Sequence, residues 1–216
     1  MIGSVAALML EIIVTPADRT RGLASDPVMI TSRPSIQPDD YPIEAIRKSE
    51  FGIVSTLLDV SAAGRVTSCV VTETSGAKSL DEATCRLIFA RAAFEPARDA
   101  TGTAISGTYR SANLWAIEER RPLLTYDIAV EVGALPVGYA RPVAAKLVFD
   151  DSGRVSGCEL TTMSGSAEVD AAACSYALKR IKLKPPKAEN PGVAAAAVRF
   201  VRLSVSVAPS DGRTQH

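Results

Sequence analysis

GRVTSCVVTETSGAKSLDEATCRLIFARAAFEP, residues 64–96, and GRVSGCELTTMSGSAEVDAAACSYALKRIKLKP, residues 153–185, are the stretches from which the fold is read. Set one on the other without a gap, 89 residues apart, they share twelve of thirty-three residues. The identities are Gly64-Arg65-Val66, Cys69, Thr72, Ser75-Gly76, Asp81, Ala83, Cys85, Arg91 and Pro96, with their counterparts Gly153-Arg154-Val155, Cys158, Thr161, Ser164-Gly165, Asp170, Ala172, Cys174, Arg180 and Pro185. A repeat of this kind means that one supersecondary unit is used twice.

Each copy reads as strand, strand, helix, strand. Val54 to Val60 and Val66 to Thr74 are β-branched and aliphatic runs separated by Ala62-Ala63-Gly64, a hairpin signal. Val143 to Phe149 and Val155 to Thr162 repeat it around Asp150-Asp151-Ser152-Gly153, where Asp and Ser favour the turn by bonding nearby backbone. Ser79-Leu80-Asp81-Glu82 has the form of a capping box and predicts a helix start. Leu80, Ala83, Leu87, Ile88, Arg91 and Phe94 then fall three or four apart, and Glu95-Pro96 ends the helix. A second helix is expected over about Val169 to Leu183, with a weaker cap because Glu168 stands where the first copy has Ser79. Third strands are expected over roughly Ala104 to Ile117 and Val193 to Val207, and an additional strand at Leu124 to Val132. Three antiparallel strands under one helix hide both the apolar stripe and one sheet face. The fold class is therefore α+β, two tandem β-β-α-β modules. The expected division is an apolar segment and short linker at 1–36, a first module at 37–120, a second, diverged one at 121–208 and a flexible tail at 209–216.

Cys69 and Cys85 lie sixteen residues apart, as do Cys158 and Cys174. Of the three possible connectivities, only Cys69–Cys85 with Cys158–Cys174 respects the repeat. Two such bridges place the chain in an oxidising compartment. The alternatives are four free buried cysteines, which pack as small apolar side chains, or a shared zinc site, which ordinarily announces itself by closely spaced pairs. A redox dithiol would need a C-x-x-C, and there is none.

Lysine plus arginine and aspartate plus glutamate balance at 24 each, so no excess positive charge awaits a nucleic acid. The only histidine is His216. Without an internal histidine, a nucleophile elbow, a phosphate-cradling glycine loop or acids at metal spacing, the usual routes to catalysis lack a part. No catalytic residue, metal, cofactor or small-molecule substrate is expected. Met1 to Val14 is apolar apart from Glu11 and too short to cross a bilayer. It reads either as the end of a signal segment or as an ordinary buried element.

The segment Gln37-Pro38-Asp39-Asp40-Tyr41-Pro42, followed by Gly52, Gly64-Arg65-Val66, Ser75-Gly76, Leu80-Asp81-Glu82-Ala83, Phe94-Glu95-Pro96-Ala97 and Gly102, resembles the C-terminal domain of TonB-family energy transducers over about residues 37 to 118. The second copy, about 137 to 207, keeps the hairpin, Ser-Gly, helix and proline without a Tyr-Pro lead-in. The resemblance implies a periplasmic, non-enzymatic protein whose third strand pairs with an extended segment of an outer-membrane TonB-dependent transporter, a β-augmentation. It implies inner-membrane motor proteins as further partners if an anchor precedes this Met1. The implied docking residues are Gln37, Pro38, Tyr41 and Pro42 of the lead-in and Thr108, Tyr109, Arg110, Ser111, Ala112, Asn113, Leu114 and Trp115 of the strand. An ordinary edge, or one covered by the second copy, is the competing reading. Trp115 is expected under the helix rather than at a partner surface. Arg91 and Arg180 are expected to bond a carboxylate such as Asp81, or to lie on a solvated helix face. The chain departs from the family pattern between Gly22 and Pro38, where three prolines and at most about 60 Å of reach replace a long proline-rich span. A soluble, disulfide-stabilised periplasmic interaction protein is the alternative function.

Overall fold

The structure is a computed structural model and describes residues 23–30, 36–117 and 120–207. The apolar Met1 to Val14 stretch, His216 and the expected tail lie outside the described residues.

In chain order the elements are β1 (Leu23–Ser25), β2 (Val28–Met29), a 3-10 turn at Pro38–Asp40, α1 (Ile43–Arg47), β3 (Gly52–Val60), β4 (Val66–Glu73), α2 (Lys78–Arg91), β5 (Phe94–Glu95), β6 (Ala97–Asp99), β7 (Ala104–Ile105), β8 (Gly107–Trp115), β9 (Thr125–Val132), β10 (Val143–Phe149), β11 (Val155–Thr162), α3 (Ala167–Arg180) and β12 (Ala197–Val207). The protein is α+β, with small, mostly antiparallel sheets and few helices. The first main sheet has the order β4-β3-β8 and the second the order β11-β10-β12-β9. All pairings in the two are antiparallel except β9 with β12, which is parallel.

Alternation along β3 decides how the first half packs. Val54, Leu58 and Val60 point to the α2 side, where they meet Leu80, Ala83, Leu87, Ile88 and Trp115. In the second half Ala145, Leu147 and Phe149 of β10 meet Ala177 of α3 and Val201 of β12. A disulfide staples helix to second strand in each half: Cys69–Cys85 with Cα atoms 5.8 Å apart and Cys158–Cys174 with Cα atoms 5.7 Å apart. Closing a sixteen-residue loop contributes about 3 kcal/mol in the chain-entropy description.

The glycines of the two hairpin turns are required by geometry. Gly64 and Gly153 have φ of 72° and 75°, and a Cβ on either would fall 2.0 Å from the Phe94 carbonyl oxygen or 2.2 Å from that of Leu183. Phe94 and Leu183 each donate a backbone bond back to that glycine, so the chain leaving each helix is tied to the turn of its own hairpin.

Two sequence expectations are corrected. The first helix starts at Lys78 and Ser79 makes no cap; its hydroxyl donates to Glu50 at 2.9 Å. The loop before the helix is instead tied down by Asp81, which is buried and accepts from the Ser75 amide and hydroxyl and from the Thr74 hydroxyl. Asp170 accepts from the Ser164 amide in the same way, which gives the recurring Ser-Gly and Asp their physical reason. Helix α2 also stops at Arg91, short of Glu95-Pro96, because Phe94 and Glu95 are drawn out to pair with β2. The second helix likewise ends at Arg180 rather than Leu183.

The second half lies on the face of the first sheet that α2 leaves free. The Val198 amide donates to the buried Ser55 hydroxyl at 3.0 Å, Ser55 donates to Glu73 at 2.7 Å, and Glu73 takes both ends of the Arg199 guanidinium at 2.7 and 2.8 Å. Thr72 exchanges backbone and side-chain bonds with Ala196, and the Thr74 amide donates to Lys187. The end of β4 is thereby engaged by the second half, and among the described residues β8 is the edge with no further strand paired to it.

Candidate functional site

The candidate site is the outer edge of β8, and its shape follows from how the neighbouring chain is pinned. Within β8, Tyr109, Ser111, Asn113 and Trp115 face α2, while Thr108, Arg110, Ala112 and Leu114 face the other way. β3 pairs with β8 on one side from Gly52↔Trp115 to Val60↔Gly107; among the described residues no strand pairs with the other side.

Two cavities follow that side. One, of about 300 Å³, is lined by β8 from Tyr109 to Leu114 together with Met29, Ile36 and Phe200. The second, of about 470 Å³, is lined by Gln37, Pro38, Tyr41, Leu114, Trp115 and Ile117, among others. Ile36 and Leu114 line both, so the two form one groove past the lead-in, and no residue of β3 lines either.

The lead-in is held by its acid and its aromatic ring. Asp40 accepts from the Gln37 amide at 2.8 Å and pairs with both ends of the Arg91 guanidinium. The Arg91 hydrogen bond, then that of the Gln37 amide, holds the Asp40 carboxyl below the usual carboxylate range and raises Arg91 in turn. Arg91 therefore bonds Asp40 rather than Asp81, which belongs to the start of α2. Arg180 is exposed. Tyr41 sets its ring edge-on to Trp115 with centroids 5.1 Å apart, and burial followed by the nearby Glu50 charge raises its phenol. Pro42 precedes α1 in extended geometry and so directs the chain into the helix that buries Ala45.

Trp115 is 1% exposed and belongs to the core; its indole N–H donates to Thr84 Oγ1 at 2.9 Å. Only its position at the groove's end connects it with the site. Ser111 shares a hydrogen bond with Thr56 at 2.8 Å, and Tyr109 lies edge-on to Phe94 with the Lys146 ammonium 4.6 Å from its ring centre. Thr108 is exposed and Ala112 half-buried. Arg110 and Asn113 are half-buried, and each has a buried nitrogen, Nη1 and Nδ2, without a hydrogen-bond partner. Burial lowers the Arg110 pKa.

Thus Gln37, Pro38 and Tyr41 of the lead-in and Tyr109 to Trp115 of β8, some seventy positions apart in sequence, line two adjoining cavities that share Ile36 and Leu114, whereas Pro42 and Thr108 line neither. Sequence reasoning missed Met29, Ile36 and Phe200 as groove walls. Phe200 had no readable signal, because its place depends on the contact between the halves. Among the described residues there is no cluster of histidine, cysteine or acid able to hold a metal, and no helix long and apolar enough to cross a membrane.

Residues 37–113 match the family described as the Gram-negative bacterial TonB protein C-terminal. This part of the chain is a TonB C-terminal-like domain, and the match takes in the lead-in and β8 as far as Asn113. No curated protein matches the chain.

Proposed function

We propose that the chain is a non-enzymatic, periplasmic TonB-like protein that accepts an extended segment of an outer-membrane TonB-dependent transporter on the outer side of β8. The observation that carries this reading is an edge strand, most of it inside the segment that matches the family, with no further strand paired to it among the described residues and two adjoining cavities beside it. An edge strand offers a row of free amides and carbonyls, which give affinity for any extended chain, while the flanking pockets select side chains. Tyr41, Pro38, Leu114 and Ile117 supply apolar lining to one cavity, and Met29 and Phe200 to the other.

In this reading the second half is a diverged copy with a supporting role. It packs on the face of the first sheet away from α2 through Arg199 and Val198, brings Phe200 and Lys146 to β8, and adds no strand to that edge among the described residues. Its own corresponding edge is filled by β9. One strand-accepting site per chain follows.

The test is hydrogen–deuterium exchange on the full oxidised chain, with and without synthetic peptides spanning the periplasmic N-terminal segments of TonB-dependent transporters. The reading expects new protection on amides of Thr108 to Trp115 and none on β12. Protection confined to other elements, or none at saturating peptide, overturns it.

A further inference from the structure

A cavity of about 220 Å³ between β9 and α3 stands where the first half seats its tryptophan. Trp115 is buried in one cluster with Leu80, Ala83 and Leu87, and its indole donates to Thr84 at 2.9 Å. The repeat carries Leu80, Ala83, Thr84 and Leu87 of α2 to Val169, Ala172, Ala173 and Tyr176 of α3, and all four line the cavity. Leu58 faces Tyr109 as Leu147 faces Arg199, so the counterpart of Trp115 is Val205, which lines it too. Three of these exchanges remove volume, tryptophan to valine, leucine to valine and threonine to alanine. The one that adds volume does not refill the space, because Tyr176 is 42% exposed. A packed interior ordinarily closes over such a loss, since a cavity costs stability in proportion to its volume. Here Val130 and Val132 of β9 form a further wall, and the Val205 amide is tied to the Tyr139 hydroxyl at 2.8 Å.

Apolar cavities of about 150 Å³ take up a benzene ring, so this one has room for two fused rings. Among the described residues that line it, Glu168 alone is charged. It is exposed, and the positions three and four residues on, where a cation could pair with it along the helix, hold Ala171 and Ala172.

We propose that this cavity is a binding site for a small aromatic amine, whose fused rings take the place that the Trp115 side chain holds in the first half and whose ammonium meets the Glu168 carboxylate at the rim. The rings it takes bury no N–H, because Ala173 stands where Thr84 accepts the indole donor. The site is separate from β8 and does not depend on what that strand receives.

The test is titration of the full oxidised chain with naphthylmethylamine, monitored by amide chemical shifts. Naphthylacetate serves as the same rings with the opposite charge, and propylamine as the charge without rings. Saturable shifts at Val130, Ala173 and Val205, with half-saturation at or below about 1 mM, are expected for the naphthyl amine. The carboxylate is expected to bind about threefold more weakly, the worth of an exposed ion pair, and propylamine not to bind at all. Glu168→Gln is expected to remove the difference between amine and carboxylate. No saturable shift at these residues, saturation by propylamine, or equal affinity of the wild type for the two charges overturns the proposal. Val205→Trp, which supplies the rings from the chain itself, is expected to raise Tm and abolish binding. Ala172→Leu, at an exposed helix position, narrows the cavity without touching the core and is expected to weaken binding at least about tenfold. Unchanged binding in the folded Ala172→Leu variant overturns the proposal whether or not Val205→Trp folds.

Discussion

The outer edges of β8 and β12 occupy corresponding places in the two sheets and have different fates. β12 carries β9 in parallel along eight residues, from Phe200↔Thr125 to Val207↔Val132, whereas β8 has no strand beyond it among the described residues. β9 is suited to that place because it alternates, with Tyr126, Ile128, Val130 and Val132 half-buried and the residues between them exposed. In the first half the place beside β8 is bordered by Met29, Ile36 and Tyr41, and among the described residues no strand pairs with that side of its backbone. A second difference lies at the strand ends. Leu58 faces Tyr109 while its counterpart Leu147 faces Arg199, so the third strands correspond at an offset one residue longer than the rest of the repeat. The counterpart of the buried Trp115 is therefore Val205, which lines a small apolar pocket between β9 and α3. What closes the first core is a large aromatic ring held by Tyr41; what closes the second is an added strand.

That contrast can be broken most forcefully at its aromatic end. Trp115→Ala is expected to cost about 4 kcal/mol and Val205→Ala about 1 kcal/mol, measured by urea denaturation, because the first empties a core and the second thins an already open pocket. Equal costs would mean that the two ends are closed alike. Next in size is Glu73→Ala, which strands Arg199 between the halves; side chains only 10% and 14% exposed make the loss about 3 kcal/mol. The expected sign is a second, earlier transition as the halves lose their register, and a single unshifted transition would show them coupled by other contacts.

Ile128→Pro tests the filled edge itself. Removing a ladder donor from β9 is expected to cost about 2 kcal/mol and to expose β12, with self-association visible by light scattering. A fully monomeric, unchanged protein would mean that β9 is not what keeps that edge closed. The smallest effect is expected at the lead-in. Asp40 is depressed in the folded protein, so its contribution is present above the ordinary aspartate value near 3.9 and is lost as the pH falls through the folded value. Trp115 is the chain's only tryptophan, so its fluorescence reports on the Tyr41 contact. A change on acidification that is absent in Asp40→Asn is the expected result; an identical acid transition in the variant assigns it to another group.

The repeat made much of this legible in the order of residues. Spacing predicted both disulfides, the β-branched runs placed the hairpins, Asp150 accepts from Ser152 and Arg154 as its turn chemistry suggests, and a strand stands at Thr125–Val132. The capping box at Ser79 misled because the same residue types can be bonded from further away: Glu50 took the serine, and Asp81, one turn into the helix, took the Ser75 amide of the preceding loop. The groove residues of the lead-in and β8 were named from a family resemblance, and their meeting along Leu114 and Ile36 is a fact of packing.

By itself the chain's order of residues determined what is local: turns that only glycine can make, apolar alternation, the spacing of cysteines on elements that must touch. These depend on neighbours within one module and so leave a periodic trace. Which edge carries no further strand among the described residues was decided by contacts across large separations, Arg199 with Glu73, Val198 with Ser55 and β9 with β12. No spacing encodes those, because each depends on how two finished sheets meet.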